Sequence, residues 1–125
     1  MAISVTNQST PLGSRVVEDT DATNVAADNT TGTSGNLYAV EITNPNAGGS
    51  VYFKLADSTD ATAGTTAADI VLECPANTTK NYVFLGGVAF SNGFSHWCVT
   101  GAAESNTVAP SVLLGSSVTV RYVTS

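Results

Sequence analysis

In several runs of this 125-residue chain apolar side chains recur at every second position, no amphipathic helical pattern appears, and this alternation constrains the fold more than any other feature. From Asn36 to Thr43, Tyr38, Val40 and Ile42 alternate with Ala39, Glu41 and Thr43. From Ser50 to Ala56, Val51, Phe53 and Leu55 alternate with Tyr52 and Lys54, and from Ser117 to Thr124, Val118, Val120 and Tyr122 share one side. Each run has the pattern of a strand with one buried face.

Shorter runs complete the series: Ile70 to Cys74, stopped by Pro75; Lys80 to Leu85; Val88 to Phe90 after a bend at Gly86-Gly87; and Ser95 to Thr100. The first two strands, joined by Asn44-Pro45-Asn46-Ala47-Gly48-Gly49, read as a hairpin. Residues 57–69, with neither aromatic nor large aliphatic content, read as an exposed loop. Charged residues make up only 11% of the chain, so helix formers of that kind are scarce, while β-branched Thr and Val abound. The expected fold is all-β: an antiparallel β-sandwich, jelly-roll or Ig-like.

Every aromatic residue lies beyond position 36, which places the compact body at 36–125. Residues 1–35 carry Ile3, Val5, Leu12, Val16, Val17 and Val25 among Thr, Asn, Asp and Gly, too little apolar surface to offset their ordering entropy. They read as an extended N-terminal arm that needs a partner, either its own body or another chain. Ile3 to Thr6 and Arg15 to Glu18 are its strand-like pieces, Thr10 to Gly13 the break between them, and Asp28 to Gly35 a flexible hinge.

A net charge of -6, with Arg15, Lys54, Lys80 and Arg121 isolated from one another, argues against nucleic acid as a partner. No apolar run matches a membrane span or a secretory leader, so synthesis in the cytoplasm without export is expected. In that compartment Cys74 and Cys98 read as small buried hydrophobes rather than a disulfide, and the sequons at Asn7, Asn29 and Asn77 carry little weight.

Candidate chemistry is sparse. His96 is the single histidine, and alternation places it on the same strand face as Cys98, too far along the strand for a Cys-His dyad. A structural role is preferred. Asp57 with Asp60, or Glu18 with Asp19 and Asp21, lack the ordered spacing of a calcium loop and read as solvated acids. Glu41, Glu73 and Glu104 form no recognisable glycosidase pair, and Gly86-Gly87 is no phosphate loop. Tyr38, Tyr52 and Trp97 are candidates for a sugar-stacking platform, although Trp97, set among apolar residues, reads as core or subunit contact. No catalytic residue, metal ligand or cofactor is assigned.

The segments LYAVEITNPNAGGSVYFKLAD, GTTAADIVLECPANTTKNYVFLGGVAFSNGFSHWCVTG and APSVLLGSSVTVRYVTS, spanning Leu37 to Thr124, resemble the small β-sandwich decoration (cement) and minor virion proteins of tailed bacteriophages, cyanophages among them. The resemblance implies a structural, non-enzymatic role on the capsid exterior, binding to the major capsid protein, and a homotrimer near threefold positions. An arm of this length spans roughly 115 Å fully extended and can add strands to neighbouring sheet edges. On this reading Ile3, Val5, Val16 and Val17 are the capsid anchors and Arg15 an ion-pair donor. The alternatives are a glycan- or receptor-binding module of a phage tail, using residues 57–69 and the aromatics, and a small β-sandwich hydrolase.

Overall fold

The computed structural model describes residues 2–7, 13–111 and 117–125. Within them, eight strands run β1 Ile3–Asn7, β2 Arg15–Asp19, β3 Gly35–Asn44, β4 Val51–Asp57, β5 Ile70–Cys74, β6 Thr78–Phe90, β7 Phe94–Val99 and β8 Thr119–Thr124. They form two antiparallel sheets, ordered β1-β2-β8-β3-β6 and β5-β4-β7, packed face to face as a β-sandwich. Leu37, Val40, Ile42, Val120 and Tyr122 of the larger sheet meet Phe53, Leu55, Leu72, Phe94 and Cys98 of the smaller one in the main core.

Period-two alternation is realised in β4, where Val51, Phe53 and Leu55 are buried inward, and in β8, where Val120 and Tyr122 are. It breaks in β3. A register shift between Leu37 and Ala39 puts Leu37 in the core with Val40 and Ile42 and leaves Tyr38 half-buried.

The expected β3–β4 hairpin does not form. β3 and β4 belong to different sheets, and the chain crosses between them at residues 45–50. Buried Asn44 fixes the crossing: its Nδ2 donates to the carbonyls of Gly49 (3.0 Å), Cys74 and Pro75 (both 3.2 Å), and its Oδ1 accepts from the Asn46 backbone. The return crossing after β6 is held by Asp57, whose carboxylate accepts from the backbone N–H groups of Ser91 and Asn92, each at 2.8 Å.

Residues 13–35 pack against their own body and close one side of the sandwich. β2 lies between β1 and β8 with Val17 fully buried. The chain then follows the free edge of β7, where Ala27 and His96 exchange backbone hydrogen bonds, Thr23 O accepts from Cys98 and Phe94 O accepts from Thr30. The expected hinge at 28–35 is likewise anchored, with Thr31 buried and its Oγ1 accepting from the Phe94 backbone. Backbone pairing and small side chains supply the packing that the segment's few large apolar groups do not. Most of the break expected at Thr10–Gly13 lies outside the described residues.

β7 is consequently buried on both faces. Its outward residues Trp97 and Val99 join Ala56 and Ala61 in a second, smaller cluster, against which Ala26, Ala63 and Ala68 pack. The segment 57–69 therefore covers the outer face of the smaller sheet instead of extending freely into solvent.

Candidate functional site

The arrangement that most resembles catalytic machinery lies in the middle of the core. His96 on β7 points inward, with Nε2 2.8 Å from Asp19 Oδ2 on β2 and Nδ1 2.9 Å from the Tyr122 hydroxyl on β8. Tyr122 also shares a hydrogen bond with Thr30 Oγ1, which donates to Phe94 O. Asp19, His96 and Tyr122 are each 0% exposed, and the rings of Phe53 and Phe94 pack against this cluster. Burial pushes the Tyr122 hydroxyl well above its ordinary value, with Thr30 pulling down and Asp19 pushing up. An acid, an imidazole and a hydroxyl in line have the connectivity of a triad, but substrate has no route to them. The network ties β2 and β8 of one sheet to β7 of the other.

Three of the other candidate acids have structural partners. Asp57 holds the β6–β7 turn; burial acts to raise its carboxyl, but hydrogen bonds from the backbone of Ser91, Asn92 and Gly93 and the Asn92 side chain bring it below its usual value. Glu18 pairs with Arg121 at 3.2 Å on the exposed face. Tyr52 donates to Glu73 at 2.8 Å, and that carboxylate raises the phenol. Among the described residues no group of three or more His, Cys, Asp or Glu side chains gathers as metal ligands would. Cys74 and Cys98 are buried free thiols. Burial pushes Cys98 up to about 12, with Cys74 and Asp19 adding to the effect.

The proposed capsid-contact residues separate into two groups. Val16 and Val17 are buried, Val17 in the main core. Arg15 is half-buried, and its guanidinium donates to Thr31 O, so it braces the 28–35 segment. Ile3 and Val5 do remain exposed. β1 is an edge strand of the larger sheet, and register places Ile3 opposite Asp19 and Val5 opposite Val17, on the face that points toward the smaller sheet. Three strands do not cover five, and this overhang leaves Ile3 38% and Val5 47% exposed.

The opposite edge, β6, carries a feature that the sequence alternation does not single out. Val83 pairs with Ala39 and Val88 with Leu37, so residues 84–87 bulge out against the single residue Tyr38. Gly86 and Gly87 adopt φ of 80° and 82°, and a Cβ on Gly87 would lie 2.9 Å from Asn36 and from the Tyr38 ring. Glycine is thus required to bring the bulge back onto β3. Phe84 packs against the core, while Leu85 is 96% exposed and flanked by exposed Val83 and Val88. An apolar side chain held out on a bulge at a sheet edge is suited to docking.

The outer face of the smaller sheet hides its polar groups. Trp97, 1% exposed, offers no open ring for stacking, and its Nε1 has no hydrogen-bond partner. Its cross-strand neighbour Lys54 is also 1% exposed and donates to Ala103 O at 2.7 Å. Burial lowers the Lys54 ammonium, and the charge of Glu104 partly offsets this.

Comparison of the chain with family models, with curated proteins and with solved structures gave no match.

Proposed function

We propose that this chain is a structural virion protein that decorates the outside of a tailed-phage capsid and reinforces the lattice, docking through the apolar edges of its larger sheet. The observation that carries the reading is Leu85, 96% exposed at the tip of a glycine-shaped bulge on edge strand β6. Its exposure has no counterpart in the chain's own packing and suits the centre of a protein contact. Ile3 and Val5, left uncovered where β1 overhangs the smaller sheet, give a second apolar contact at the other edge of the same sheet.

The resemblance of Leu37 to Thr124 to phage decoration proteins supplies the partner class, the major capsid protein, and the homotrimeric arrangement. Attachment requires no chemistry. Many copies on a repeating shell convert modest individual contacts into firm binding through avidity. The burial of Asp19, His96 and Tyr122 favours this non-catalytic reading over a hydrolase. The burial of Trp97 counts against an aromatic platform for glycans on a tail.

Mass spectrometry and electron microscopy of virions carrying the chain test the proposal. Hundreds of copies spread over the shell are expected; a few copies confined to the tail would favour the receptor-binding alternative.

A further inference from the structure

Lys54 and Trp97 sit directly opposite each other on β4 and β7, and both line a cleft of about 150 Å³ on the outer face of the smaller sheet. Thr66, Ala68, Val71, Ala102 and Glu104 complete its lining. Lys54 is almost fully buried, yet its three-proton ammonium makes one hydrogen bond, to Ala103 O, and it has no ion pair among the described residues. The indole N–H of Trp97 is buried with no partner at all. A buried cation and a buried unpaired donor, on cross-strand neighbours that line one cleft, are both costly, and an acceptor oxygen bearing negative charge would relieve both. The exposed carboxylate of Glu104 gives Lys54 only a through-space partner at the rim.

We propose that this cleft is a binding site for a small carboxylate, held by charge-assisted hydrogen bonds from Lys54 with the Trp97 indole N–H as second donor. A carboxylate fits the pair because its two oxygens can accept from two separate donors at once. Its source is either a free organic acid or an Asp or Glu side chain presented by a protein partner. The site lies outside the β1 and β6 edges and stands independently of the capsid proposal.

Trp97 is the only tryptophan, so one indole N–H cross-peak in a ¹H–¹⁵N spectrum reports on the site without ambiguity. The full chain is titrated at constant ionic strength with acetate, with the capped tripeptide acetyl-Ala-Glu-Ala-amide, and with inorganic phosphate. Acetate should move the peak saturably with a dissociation constant on the order of millimolar, as suits so small a ligand. A tripeptide response tighter than acetate assigns the source to a protein side chain, and a weaker one to a free acid.

Lys54→Met should abolish the shift. Glu104→Gln, on an exposed loop where loss of folding is not at issue, should tighten acetate binding about threefold by removing a like charge from the rim. A peak that fails to move with acetate in both the wild-type chain and Glu104→Gln, or that moves with phosphate alone, would overturn the assignment.

Discussion

His96 Nε2 lies 2.8 Å from Asp19 Oδ2, and the two residues, separated by 77 positions in sequence, belong to opposite sheets of the sandwich. The pair locks the N-terminal segment to the strand that the segment wraps. Its removal should therefore cost far more than a surface contact would.

Replacing Asp19 with Ala should destabilise the fold by about 3–5 kcal/mol, because it leaves His96 buried without its partner. The double variant Asp19→Leu with His96→Met should cost less than the sum of the two single changes, since no polar group is then left unpaired. Urea unfolding at neutral pH measures both. A cost below about 1 kcal/mol for Asp19→Ala would mean the network contributes no more than an exposed pair.

Val17→Ala should cost about 2 kcal/mol, as expected for a truncation within a packed core. Val5→Ala and Ile3→Ala, at the exposed overhang, should stay within about 0.5 kcal/mol. The same unfolding curves distinguish a built-in N-terminal segment, which predicts this contrast, from a detached arm, in which all three changes would be nearly silent.

Period two identified the inward faces of β4 and β8 because those strands are regular. It failed in β3, where the shift at Leu37/Ala39 changes the face after one residue. It also says which face of a strand is buried and nothing about which sheet the strand joins, so β3 and β4 read as a hairpin although Asn44 turns the chain across the sandwich. The 13–35 segment holds through backbone bonds to β7 and through Ala22 and Ala27, side chains too small to register as core. Nothing local links Asp19 to His96, and no local pattern marks β6 as the edge strand that leaves Leu85 exposed.

Gly87→Ala should destabilise by about 1–3 kcal/mol, combining backbone strain with the close approach to Asn36 and Tyr38. Gly86→Ala meets open space and has only the left-handed conformation to resist it, so about 1 kcal/mol is expected. Thermal melts of the two variants check the order; a costlier Gly86 change would contradict the bulge geometry.

Stability should fall in alkali. The Cys98 thiol titrates near 9 when unfolded and is pushed up to about 12 by burial in the fold, so its contribution is complete below pH 9 and is lost as pH rises toward 12. The loss reaches roughly 4 kcal/mol at the upper end. Tyr122, also raised by burial, acts in the same direction. Cys98→Ala should flatten the dependence of unfolding free energy on pH between 9 and 11, and an unchanged slope would show that other groups dominate.

The proposed docking on a capsid through an exposed apolar edge is tested most directly by binding of the purified protein to expanded heads of tailed phages. The wild-type chain should co-sediment with the heads and raise their melting temperature. Leu85→Ser, which removes the exposed side chain without touching the core, should fold with unchanged stability and lose most of that binding. Failure of the wild-type chain to bind any form of the capsid, or full binding by Leu85→Ser, would contradict the account.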